Sequence, residues 1–135
     1  MPLMEWDDSY SVGVSSLDNQ HKELIQIIDE FAGAFFDGES QRVIAPILSR
    51  LIAYTKTHFE TEENLMISYG YEGFVEQREE HRALTRRILE FQRRYESGDR
   101  DVAHELLDFL GKWMMEHILV VDMKYKEFFR EQGVE

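Results

Sequence analysis

The chain has no cysteine, and only two prolines in 135 residues. Without thiols it can form no disulfide framework, zinc–thiolate site, cysteine-ligated iron–sulfur cluster or thiol nucleophile. Any metal must therefore sit on His, Asp or Glu. Positive charge is scarce too: 15 Lys plus Arg face 27 Asp plus Glu, a formal charge of -12. The basic residues lie scattered among carboxylates, so neither nucleic acid nor an anionic membrane surface is an expected ligand. No apolar run approaches the ~20 residues of a membrane span. The segment Met1 to Asp8 turns acidic before an apolar run develops and does not read as a signal peptide, which makes a cytoplasmic location the expectation. The length suits one domain, 1–135.

With prolines only at positions 2 and 46, long helices are available, and Gly38, Gly70, Gly73 and Gly98 punctuate them. Between those breaks, apolar residues recur at alternating spacings of three and four. The stripes are Leu17, His21, Leu24, Ile28, Phe31 and Phe35; then Leu48, Leu51, Thr55, His58, Glu62, Leu65 and Tyr69. Phe74, Gln77, His81, Leu84, Ile88, Phe91 and Tyr95 form a third, and Leu106, Leu110, Trp113, His117, Val121, Tyr125 and Phe128 a fourth. The expected fold is all-α: an up-down-up-down antiparallel four-helix bundle with helices over about 17–37, 41–69, 74–96 and 102–130, and an extended arm over about 1–16 packed on it. Ser15, Ser16 and Asp18 offer caps for the first helix and Ser40 for the second. Pro46 predicts a kink, or a start near Ile44, because it removes a backbone donor and clashes one turn back.

The informative residues are the polar ones that interrupt those stripes, since a buried polar side chain is costly unless something compensates it. They are His21, His58, Glu62, Gln77, His81 and His117, with one His on each helix. His58 and Glu62, four residues apart, lie one turn from each other on a single face and form a two-ligand unit. Asp122 follows His117 by five residues and, on an α-helix, approaches the bundle axis only at an angle. His104 falls off its stripe and reads as solvent-facing or as a support behind a ligand, and not as a ligand itself. Imidazole and carboxylate donors without thiolate suit iron, manganese, zinc or copper. The Glu-x-x-His pairs of ferritin-like di-iron bundles are absent, as is the His-Glu-x-x-His zinc-protease motif.

Taken in order, Trp6-Asp7-Asp8-Ser9-Tyr10-Ser11-Val12-Gly13-Val14, Leu17-Asp18-Asn19-Gln20-His21-Lys22-Glu23-Leu24, His58-Phe59-Glu60-Thr61-Glu62, His81 and His117-Ile118-Leu119-Val120-Val121-Asp122 resemble the hemerythrin family. The resemblance runs over essentially the whole chain and is closer to the single-domain bacterial branch, the bacteriohemerythrins. It implies two iron ions joined by an oxo or hydroxo bridge, with O2 as a reversible ligand. One iron takes His21 and His58, the other takes His81, His117 and a further His one turn before His81, and Glu62 and Asp122 bridge the pair. The chain departs from this pattern at Gln77, which holds the position of that further His. Three readings follow: Gln77 binds weakly through its amide oxygen, water fills the position, or Glu76 or Glu80 swings in.

Leu24, Ile25, Ile28, Trp113, Met114 and Val121 lie within one or two turns of His21 or His117 and are candidates for the wall of a dry O2 pocket. The expected role is O2 carriage, storage or delivery rather than catalysis. O2 is the expected partner, with an O2-consuming enzyme as recipient, and the chain is expected to be a monomer. Two rivals remain: a di-iron oxidase or peroxidase exploiting position 77, and a metal-poor interaction module.

Overall fold

The computed structural model describes residues 5–135, apart from the side chains of Met114 and Met115. A single 3-10 turn, Asp8–Tyr10, precedes α1 (Ser15–Phe36), α2 (Ser40–Tyr69), α3 (Phe74–Glu96) and α4 (Val102–Glu116). A π-helical turn, His117–Asp122, then carries α4 without a break into α5 (Met123–Glu131), so these three segments make one fourth rod. No strand occurs among the described residues. Helix α1 packs on α2 and α4, and α3 packs on the same two. Short loops join consecutive rods, which makes neighbours antiparallel and the bundle up-down-up-down.

Helix α2 begins at Ser40 and runs through Pro46, rather than starting near Ile44. Proline inside a helix costs ~3 kcal/mol. Its neighbours Ile44, Ile47 and Leu48 are buried while Pro46 itself is exposed. Burying each large aliphatic side chain contributes ~1.5–3 kcal/mol, so packing on this one turn outweighs the proline. The stripe on α2 also ends differently from expectation: Met66 is buried, Leu65 is half-buried and Tyr69 is exposed. Gly70 ends the helix in the left-handed region (φ 71°), which lets Tyr71 N–H reach back to Met66 C=O at 2.9 Å.

The proposed caps take other roles. Val14 and Glu39 precede α1 and α2 without a capping side chain, and Ser15 and Ser40 are the first helical residues. Asp18 instead reaches back to the arm, accepting from Ser11 Oγ at 2.6 Å and Val12 N–H at 2.8 Å. Val12 and Val14 are thereby held in a small apolar cluster with Leu17, Met66, Tyr125 and Phe129. A larger cluster, from Leu24 to Phe31 on α1 and including Leu51, Leu84 and Leu110, fills the rest of the bundle. On every rod, the buried imidazole, carboxylate and amide side chains fall near the boundary of these two apolar regions.

Candidate metal centre

That polar band contains His21, His58, Glu62, Gln77, His81, His117 and Asp122, each no more than 2% exposed. Helix α1 supplies His21, α2 supplies His58 and Glu62, α3 supplies Gln77 and His81, and the π-helical turn supplies His117 and Asp122. Asp122 reaches the interior because the turn is widened. On a regular α-helix, five residues at ~100° each would leave it ~140° from His117. In the π-helical turn both side chains are buried, and His117 Nε2 lies 3.1 Å from Asp122 Oδ1.

The donor atoms form two groups. His21, His58, Glu62 and Asp122 make one, and Glu62, His81 and His117 the other, with ligand atoms in each group within 4.8 Å of one another. Glu62 belongs to both. Its Oε1 is 2.5 Å from His58 Nε2 and 3.8 Å from His81 Nε2. Asp122 likewise faces both sides, with Oδ2 at 3.2 Å from His21 Nε2 and Oδ1 toward His117. His21 Nε2 and His58 Nε2 approach to 3.1 Å.

Two imidazoles are oriented from behind. Gln20 Oε1 lies 2.6 Å from His58 Nδ1, and Glu63 Oε2 lies 2.9 Å from His81 Nδ1. Each oxygen fixes the proton on Nδ1 and leaves Nε2 facing the cluster as a lone-pair donor, the arrangement that metal-ligating histidines use. Tyr54 locks the first of these supports by donating its hydroxyl to Gln20 C=O at 2.6 Å.

Burial would push Asp122 and Glu62 upward in pKa, yet both are held below the usual carboxylate range. His117 and His21 do this for Asp122, and His58 and His81 for Glu62. Burial would lower His117, but Asp122 together with Glu62 and Glu80 raises it, whereas His81 is lowered chiefly by burial. The protein therefore keeps two buried carboxylates ionised side by side. Buried anions at this spacing demand cationic compensation.

The fit to metal rests on atoms left without hydrogen bonds. Both oxygens of Glu62, both of Asp122, His81 Nε2, both nitrogens of His117, His21 Nδ1 and Gln77 Oε1 are buried and have no hydrogen-bond partner. Buried polar groups are almost always paired, so a concentration of unpaired imidazole and carboxylate atoms is the mark of a cation site.

The apolar wall is built mainly from aromatic rings. Phe59 stacks on His81 with centroids 3.9 Å apart, and Trp113 stacks on His117 at 5.1 Å. Leu24, Ile25 and Ile28 are buried in the same core cluster. Val121 is half-buried, Ile118 holds the buried place beside His117, and the side chain of Met114 lies outside the described residues. His104 is exposed beside Phe35, 5.8 Å between ring centroids, and takes no part in the centre.

Sequence reasoning gave no role at the centre to Phe59, Gln20, Glu63, Tyr54 or Tyr125, although Tyr125 lies on the fourth stripe. Phe59 follows His58 and so falls off the α2 stripe, but α2 is covered on two sides, by α1 and α3, and buries a wider face. The Tyr125 hydroxyl is fully buried, and burial together with the Asp122 and Glu62 charges raises its pKa well above 10.

A four-helix bundle with a buried band of imidazoles and shared carboxylates defines a class: helical cation-binding proteins that build the site from side chains on facing helices. Residues 12–129 match the model of the hemerythrin HHE cation binding domain. The chain belongs to the hemerythrin family. It is 32% identical to a bacteriohemerythrin of Pseudomonas aeruginosa over 96% of this chain and 84% of that one. With a bacteriohemerythrin of Clostridium acetobutylicum it shares 30% identity over 91% and 98% of the two chains, and with the myohemerythrin of Sipunculus nudus 28% over 90% and 89%. Among solved structures it is similar to a hemerythrin carrying a leucine-to-alanine substitution. That match has a TM-score of 0.85 and 28% identity, and covers 94% of this chain and 97% of the other.

Proposed function

We propose that the chain binds two iron ions at this centre and takes up O2 reversibly, as a carrier or store rather than an enzyme. The observation that carries this reading is the pair of donor groups joined through Glu62 in one buried band. His21 and His58 would hold one ion and His81 and His117 the other, with Glu62 and Asp122 shared. When bound, a ferrous pair held by these residues would supply the two electrons needed for O2 uptake. The protein's own part is to position and to exclude water. Gln20 and Glu63 hold imidazole Nε2 atoms toward the centre. Phe59, Trp113, Leu24, Ile25 and Ile28 line its apolar side and keep out the water and protons that favour irreversible oxidation.

One opening beside the centre is a groove of about 490 Å³ between α2 and α3, bordered by Thr55, Phe59, Glu63 and His81, and a second, between α1 and α2, is bordered by Gln20, Tyr54 and His58. The first brings solvent to the outer edge of His81 while the donor atoms stay covered. The test is anaerobic reconstitution with ferrous iron, exposure to O2, and evacuation. A visible absorption change that reverses under vacuum over repeated cycles is the expected result. One-way oxidation, with added peroxide consumed catalytically, would instead establish an oxidase or peroxidase. A chain that takes up no iron would leave only a structural bundle.

A further inference from the structure

Gln77 stands where the family resemblance implies an imidazole, and the structure determines how its amide is turned. Its Nε2 donates to Val121 C=O at 3.1 Å. A carbonyl oxygen can only accept, so the NH2 end must face Val121. The amide oxygen then points away from that anchor. Gln77 Oε1 is buried, on a side chain 2% exposed, and has no hydrogen-bond partner. Gln77 lies one turn before His81 on the same buried face of α3, beside the group formed by Glu62, His81 and His117. An unpaired buried amide oxygen costs ~1–3 kcal/mol, a standing penalty unless something accepts its lone pair.

The other candidates for this position are engaged elsewhere. Glu76 is exposed and accepts from Lys124 Nζ at 3.0 Å on the surface. Glu80 is half-buried and belongs to neither donor group. The anchor itself comes from the fourth rod: Val121 lies in the widened turn that brings His117 and Asp122 together. One segment thus delivers two donors and orients a third.

We propose that Gln77 Oε1 is a direct cation ligand, which makes the subsite of His81 and His117 a two-imidazole, oxygen-rich site beside the two-imidazole site of His21 and His58. This rests on the dinuclear reading above and deepens it. Amide oxygen is a harder and weaker donor than imidazole, and carbonyl and carboxylate oxygens suit harder divalent ions such as manganese. The His81 and His117 position therefore releases its ion faster, and admits manganese(II) more readily, than a three-imidazole site would. A protein loaded under mixed supply would carry a mixed pair.

The test is anaerobic loading of the full chain with iron(II), and separately with manganese(II) or cobalt(II), followed by metal analysis and release to a chelator. For the wild type, two ions per chain leaving in two phases is expected. Q77L, which keeps the side-chain volume but has no donor, should hold one ion, or lose one of the two roughly 10–100-fold faster than the wild type loses it. Q77H should slow the loss of that same ion by a similar factor and reduce manganese uptake relative to iron. Q77E restores an oxygen donor and should retain both ions even if Q77L folds poorly. In the cobalt(II) protein, only one of the two equivalents should change its visible absorption between wild type and Q77L. Two ions leaving Q77L at wild-type rates, with an unchanged cobalt spectrum, would overturn Gln77 as a ligand and leave the dinuclear centre standing. A wild-type chain that binds fewer than two ions would overturn the dinuclear reading itself.

Discussion

At the scale of single residues, the centre depends most on side chains that serve both halves of it. Glu62 is the one residue shared by the two donor groups, and His81 belongs to only one. If the centre holds two cations as proposed, substituting Glu62→Gln keeps shape and burial but removes the charge that would compensate both, so uptake of both ions should fall together, by at least tenfold in affinity. His81→Ala should cost one ion and spare the other. Metal analysis after anaerobic loading checks this asymmetry, and a Glu62→Gln protein that loses just one ion would show that Glu62 does not bridge. The buried places of His21, His58, Glu62, His81 and His117 were legible in the sequence because each breaks an apolar stripe, whereas Asp122, buried through the widened turn, does not lie on one. The histidine count was less informative. Five His are present, but His104 is exposed and Gln77 occupies the buried place. The supporting contacts of Gln20, Glu63 and Tyr54 were not legible, since each depends on how far one helix lies along another, which periodicity does not record.

At the scale of elements, the fourth rod is where α-helical reasoning came up short. Its two halves each keep the spacing of three and four, from Leu106 through His117 and from Asp122 through Tyr125 to Phe129, but five residues separate His117 from Asp122. The π-helical turn absorbs the extra residue and lets both halves present their apolar faces to the same core. Such insertions disturb a helix and are frequently found at functional sites. Val120, 55% exposed, contributes nothing to the interior. Deleting Val120 restores regular α-helical spacing, and the metal-free protein should melt no lower than wild type. Cation affinity should nonetheless drop about tenfold or more, because the deletion draws Asp122 along the axis and displaces the Val121 carbonyl that turns Gln77. Thermal melts of the metal-free chains alongside cation titration separate the two effects. Lower stability of the deleted form would mean that the widened turn serves the fold instead of the site. Proline 46 teaches the reverse lesson: a strong local signal for a helix start was overridden by three buried aliphatic neighbours on the same turn.

At the scale of the whole molecule, the polar band divides the interior into two apolar clusters and opposes the stability they provide. Each unpaired buried polar atom costs ~1–3 kcal/mol, and several of them together rival the ~5–15 kcal/mol by which domains are stable at all. Close His–carboxylate contacts offset part of this in the metal-free protein, and bound cations offset the remainder. Folding and metal binding are therefore linked. A cation at a thousandfold excess over its dissociation constant adds about 4 kcal/mol, which for a domain of this size raises Tm by roughly 10–20 °C. The formal charge of -12 also attracts divalent ions to the surface, so the melt must distinguish two sources of stabilisation. Surface attraction is screened when salt shortens the Debye length to ~3 Å at 1 M, whereas binding in a buried cluster is screened far less. Differential scanning calorimetry with stoichiometric iron(II) or cobalt(II), at low and at 1 M salt, should show most of the Tm increase surviving in high salt and disappearing in Glu62→Gln. An increase that vanishes with salt, or that persists undiminished in Glu62→Gln, would assign the stabilisation to the acidic surface and remove the buried band as its cause.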